Sequence, residues 1–64
     1  MPLVRVELFP GRTRAQKAKA ALAITQAIER TLGAAPAATD VIFVEVAKSD
    51  WARAGKLFDE SEGQ

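Results

Sequence analysis

The sequence predicts a small α/β (α+β) subunit: a single β-α-β unit with parallel strands, a short C-terminal hairpin arm, and association with further copies. Three observations predict it. Residues 3–9 place Val4, Val6 and Leu8 on one face and Arg5 and Glu7 on the other, the two-residue period of a strand. Residues 14–32 are rich in Ala, Leu, Lys, Gln and Glu, and their apolar positions repeat at helical spacing. Residues 41–47 form a near-continuous β-branched run, the pattern of a strand covered on both faces. The whole of residues 1–64 reads as one domain.

The first strand, about residues 3–9, carries Leu3 and Phe9 at its ends, and Pro10-Gly11 breaks it. Thr13 is a good N-cap, and Gln16 three residues later completes a capping-box pattern. On the helix that follows, Ala20, Ala21, Ile24, Ala27, Ile28 and Leu32 gather on one side, and several of them are alanine, which lets a helix sit close to a sheet. Gly33 stands where a C′ glycine ends a helix. A small-residue loop leads into the second strand, about residues 40–47. Strand, helix, strand implies a right-handed crossover with the strands parallel. One helix covers one face of such a sheet, so the other face and the open edges call for a partner chain. Residues 48–58 read as a turn and a hairpin arm, whose Trp51, Leu57 and Phe58 lack an evident core of their own and are expected to pack on a neighbouring subunit. The acidic tail from Asp59 to Gln64 is expected to fray.

Composition narrows the function. A chain of 64 residues buries only about 60% of its unfolded surface and stands near the limit of independent stability. Disulfides, metals or oligomerisation are the usual supports. Cysteine and histidine are both absent, which leaves oligomerisation, and the 48% hydrophobic content suits a subunit that buries faces against its copies. The same absences exclude a Cys nucleophile, a His base and a Ser-His-Asp arrangement; Ser49 and Ser61 are the only serines. Acid–base chemistry falls to Asp, Glu, Lys or the N-terminal amine. Net charge is +1 with the signs interspersed, so nothing points to nucleic acid. No apolar run is long enough to span a membrane, and no signal peptide is evident, so a cytoplasmic location is expected.

Pro2 follows the initiator methionine, a context that favours methionine removal. The chain would then begin with a secondary amine on a stiff ring at the end of an apolar strand. An N-terminal amine has a reference pKa of ~7.7–8, and desolvation lowers it by disfavouring the charged form. Such a nitrogen is a neutral base near neutral pH.

Met-Pro opening a strand, Gly11-Arg12-Thr13 with Gln16-Lys17 opening a helix, and Val44-Glu45-Val46-Ala47-Lys48 ending a second strand occur here in order, followed by Ser49-Asp50-Trp51-Ala52 and a glycine-containing arm. In this the chain resembles the 4-oxalocrotonate tautomerase family of the tautomerase superfamily, from Pro2 to about Asp59. Each motif is short; their order and spacing give the resemblance its specificity. It implies the tautomerase fold, with subunits pairing into a four-stranded sheet and three dimers forming a homohexamer, or a hetero-hexamer with a sister chain. It also implies enol–keto tautomerisation of an unsaturated 2-hydroxy or 2-oxo acid such as 2-hydroxymuconate. Pro2 would be base and then acid, with no metal or organic cofactor. A retained Met1 would turn its nitrogen into a tertiary amide without a basic lone pair. Arg12 matches the arginine that grips a substrate carboxylate, a role that suits a permanently charged planar guanidinium. Trp51 matches the aromatic wall of the pocket and Leu8 an apolar residue beside it.

The resemblance breaks at Asp40. The family's prototype has a second arginine there, and no Arg or Lys lies between Arg30 and Lys48. A second grip on a dicarboxylate would have to come from elsewhere, with Arg53 in the arm favoured over Arg14. Asp40 is either an exposed cap at the start of the second strand or a pocket carboxylate that opposes anions and raises the proline's pKa. In the second case it would work with Pro2 in decarboxylation or hydration of a small acid. A catalytically silent subunit of a hetero-oligomer is the remaining alternative.

Overall fold

The structure is a computed structural model and describes residues 1–62. Strand β1 (Leu3–Leu8) leads through Pro10 and Gly11 to helix α1 (Arg14–Leu32), and strand β2 (Asp40–Glu45) follows. The two strands are parallel and in register, from Leu3 opposite Asp40 to Leu8 opposite Glu45. Backbone hydrogen bonds extend the pairing past both ends: Asp40 N–H donates to the Pro2 carbonyl at 3.0 Å and Val46 N–H to the Leu8 carbonyl at 2.8 Å. β1 stops one residue short of the expected limit because Phe9 turns away into an aromatic cluster. With β1 ended, β2 has nothing to pair with beyond Val46, so it stops short of residue 47.

The helix begins and ends on the residues that the sequence marks. Gln16 N–H donates to Thr13 Oγ1 at 3.1 Å, and Thr13 N–H to Gln16 Oε1 at 2.9 Å, which satisfies two otherwise orphaned donors. Gly33 takes the left-handed conformation (φ 72°) and donates its N–H to the Glu29 carbonyl at 3.1 Å. The alanine-rich face packs on the sheet with Ala20, Ala21, Ile24, Ala27 and Ile28 half-buried, but Leu32 is 69% exposed. Nineteen helical residues run about 28 Å and six strand residues about 20 Å, so the last helical turn overhangs the sheet.

The arm is a small hairpin of β3 (Ala52–Arg53) and β4 (Lys56–Leu57) followed by helix α2 (Phe58–Glu62). Its two-residue turn places Ala54 (φ 54°) and Gly55 (φ 80°) in the left-handed region, the backbone of a type I′ turn. Two expectations about this end are corrected. Trp51 and Phe58 do have a core within their own chain: Phe9 lies 4.5 Å from Trp51 and 5.1 Å from Phe58, ring centre to ring centre, at tilted angles. The tail does not fray from Asp59, because Phe58 anchors it and Asp59 and Glu60 place negative charge in the first turn of α2. Gly63 and Gln64, also expected to fray, lie outside the described residues.

None of the described residues is fully buried. The radius of gyration is 15.1 Å, against about 11 Å for a compact domain of this length. The accessible surface is 4897 Å², against roughly 4,000 Å² for a folded monomer of this mass. On the sheet face away from α1, Leu3 is 61% and Ile42 39% exposed. No helix among the described residues is long and apolar enough to cross a membrane.

Candidate active site

Parallel pairing puts the C-terminal ends of β1 and β2 side by side, and the chain leaving each of them contributes to one cleft. The segment after β1 supplies Phe9, Pro10, Gly11 and Arg12; the segment after β2 supplies Lys48 and Trp51. With Leu8 they line a cleft of about 400 Å³. Its floor is aromatic, since Phe9 and Trp51 pack on each other at a tilted angle and Phe58 packs on both. Its charge is positive: Arg12 and Lys48 both line it, and no acidic residue is among those that do.

Local structure fixes these side chains. Arg12 stands one residue before the capped first turn of α1, so the capping box sets its backbone. A 2.7 Å ion pair between Lys17 Nζ and Glu45 Oε2 ties that turn to the end of β2. Arg12 also borders a smaller, mainly apolar recess of about 150 Å³ with Leu8, Gln16, Lys17, Ala20 and Phe43. The Lys48 ammonium lies over the Phe9 ring, 5.3 Å from its centre. On the other side of Trp51 a separate cleft of about 440 Å³ is lined by Glu7 and Asp50 with Val46 and Ala52. Trp51 thus divides a cationic cleft from an acidic one.

Of the residues singled out from the sequence, Leu8, Arg12 and Trp51 come together here. Pro2 and Asp40 do not. They meet at the opposite end of the sheet, joined by the hydrogen bond from Asp40 N–H to the Pro2 carbonyl. Asp40 is exposed as the first residue of β2, the position of a strand cap. The strand between Pro2 and the cleft spans about 20 Å, so within one chain the amine and Arg12 stand far apart. Arg53, favoured as a second carboxylate grip, is exposed; its guanidinium lies 4.8 Å from the centre of the Phe58 ring and does not line the cleft.

Lys48 escaped the sequence reading, which found Asp40 at the start of β2 and turned to Arg53 or Arg14 for a second cation. The signal was available. If the strands are parallel, residues just past the end of β2 must lie beside residues just past the end of β1, where Arg12 is. The described residues contain no group of three or more His, Cys, Asp or Glu arranged to hold a metal.

Comparison with known proteins places this arrangement. The model of the tautomerase enzyme family matches residues 2–61. A probable tautomerase of Ralstonia nicotianae is 41% identical over 63 residues, 98% of this chain and 97% of that protein. The 2-hydroxymuconate tautomerase of Bacillus subtilis is 36% identical over 62 residues, covering 97% of this chain and all of its own. Among solved structures, a 4-oxalocrotonate tautomerase isozyme from Methylibium petroleiphilum superposes with a TM-score of 0.93 at 31% identity, over 97% of each chain. Full-length agreement in sequence and in backbone makes the chain a member of the 4-oxalocrotonate tautomerase family of the tautomerase superfamily.

Proposed function

We propose that the chain is an enol–keto tautomerase of an unsaturated 2-hydroxy acid resembling 2-hydroxymuconate, with Pro2 as base and then acid once Met1 is removed. The observation that carries this reading is the aromatic-floored cationic cleft around Arg12, in a chain whose family match begins at Pro2. The Pro2 nitrogen takes the proton of the substrate's 2-hydroxyl group. The O–H electron pair closes the carbonyl, the conjugated electrons shift along the chain, and the carbon that receives them takes the proton back from the prolinium. Nothing is oxidised or reduced. Arg12 holds a carboxylate and draws electron density towards it, an interaction that strengthens as charge develops. Trp51 and Leu8 keep the site apolar.

Since Pro2 and Arg12 occupy opposite ends of β1, this chemistry needs the Pro2 of one copy at the cleft of another. The two-stranded sheet with open edges, the exposed Leu3 and Ile42, and the excess surface of the single chain favour such association. A homohexamer built as a trimer of dimers is the assembly we propose. A second reading draws on the hydrogen bond between Asp40 and Pro2: the Asp40 carboxylate shares the Pro2 end of the sheet, where it could assist decarboxylation or hydration of a small acid.

The test is ultraviolet-monitored ketonisation of 2-hydroxymuconate and of phenylenolpyruvate, on protein whose intact mass confirms an N-terminal Pro2. Turnover of either is expected. Turnover of neither, by a correctly processed oligomer, would end the tautomerase reading and leave the Asp40-dependent reading or a catalytically silent subunit.

A further inference from the structure

We infer that Asp40 makes the site selective for a substrate with a single carboxylate: Arg12 holds that group, the aromatic floor takes an uncharged tail, and Asp40 turns a second carboxylate away. The inference rests on the proposed tautomerase reading. It narrows the substrate from acids resembling 2-hydroxymuconate to the monocarboxylic 2-hydroxy alkenoates among them.

The observation that carries it is a tether within one chain. Asp40 N–H donates to the Pro2 carbonyl at 3.0 Å, and Asp40 stands opposite Leu3, the residue after Pro2, in the parallel register. Standard bond lengths then keep the Asp40 carboxylate within roughly 10 Å of the Pro2 nitrogen, about one Debye length at 0.1 M salt. Whichever cleft the Pro2 amine enters, this negative charge enters with it. Among the described residues the Asp40 carboxylate has no ion-pair partner. Arg5, the only cation in either strand, already pairs with Glu7 at 3.4 Å.

The positive side of the cleft is limited to match. Arg12 has no ion-pair partner among the described residues, whereas Lys48 is already engaged within its own chain, with the Phe9 ring among its contacts. One unpaired guanidinium suits one carboxylate, gripped at two points by its planar fork. Leu8, Phe9 and Trp51 supply most of the remaining wall, a surface that gains by burying an apolar or aromatic tail. A dicarboxylate would set its second charge against that apolar wall with the Asp40 charge close by. Desolvation and like-charge repulsion then act together against it.

Phenylenolpyruvate and 2-hydroxymuconate present the same enol, with one carboxylate and with two. Asp40→Asn keeps the shape of the side chain and removes the charge. On assembled protein with an N-terminal Pro2, the ratio of kcat/KM for 2-hydroxymuconate to that for phenylenolpyruvate should rise roughly tenfold in Asp40→Asn, and further in Asp40→Arg. A side chain that only caps the strand would change both values alike and leave the ratio where it was. Titration followed by nuclear magnetic resonance reads the same property without turnover. There cis,cis-muconate should bind Asp40→Asn roughly tenfold more tightly than it binds the unaltered chain, with the monocarboxylate trans-cinnamate shifting far less. That tightening in a protein that turns over neither enol would support the role of Asp40 and overturn the tautomerase reading. A kcat/KM ratio and a muconate affinity that both stay unchanged would overturn the inference. If Asp40→Asn fails to assemble, Asp40→Ser makes the same comparison with a short, neutral side chain.

Discussion

The two ends of β1 differ in almost everything except their shared strand. The C-terminal end is built up: a capped helix start, a cross-element ion pair and three tilted, packed rings surround a cleft with two cations. The N-terminal end is bare. Pro2 is half-exposed, Asp40 is exposed beside it, and a single backbone hydrogen bond joins them. A cationic cleft stands at one end, and the proline proposed as the base at the other. The lesson is that one subunit holds Arg12 and Pro2 at opposite ends of the same strand, so the proposed chemistry would draw on another copy.

That contrast can be broken most severely at the bare end. Protein that retains Met1, obtained by placing a residue that blocks excision ahead of Pro2, should lose roughly 10²- to 10⁴-fold in kcat/KM, the usual contribution of a positioned acid–base group. Its assembly by solution mass should be unchanged. The next largest effect belongs to the built-up end: Arg12→Ala should cost about 10²-fold in kcat/KM, with Arg12→Lys recovering only part of it because a point charge cannot grip in two places. Mixing the Met1-retaining chain with Arg12→Ala then sharpens the comparison, since mixed oligomers should regain activity where an intact Pro2 meets an intact cleft. Neither parent alone should show it.

Smaller effects concern what holds the cleft rather than what it does. Trp51→Ala removes a half-buried ring from the contact with Phe9 and should cost about 2 kcal/mol, read as a lower urea midpoint. The smallest change is expected at the ion pair that pins the helix start. Its side chains are 29% and 42% exposed, so Lys17→Met should cost about 0.5 kcal/mol and shift KM little. A loss as large as that of Trp51→Ala would mean the ion pair, and not the capping box, sets the position of Arg12.

Local signals account for the elements that were legible in the sequence. Thr13 and Gln16 act on each other within one turn, Gly33 on its own carbonyls, and the alternation of Val4, Val6 and Leu8 needs only neighbours two residues away. What escaped was non-local. Phe9 and Trp51 are far apart in the chain, and nothing near Trp51 announces its partner. Leu32 follows the helical period faithfully yet protrudes, because helix and strand rise by different amounts per residue. Lys48 was missed because its place beside Arg12 depends on the parallel pairing of β1 with β2. In each case the missing information was register: which residues a parallel pairing brings level.

The hydrogen bond at the start of the sheet has a practical consequence. The first backbone group held in the fold is the carbonyl of Pro2, and Met1 ahead of it is 95% exposed. Excising that methionine removes no tertiary support, so maturation and folding are separate events. A preparation can therefore be uniformly folded, uniformly assembled and chemically mixed. Circular dichroism and sedimentation would be blind to the mixture. With Pro2 in its proposed role, specific activity would report how faithfully the host had trimmed the chain, and only the mass of the intact protein would tell a poor enzyme from an unfinished one.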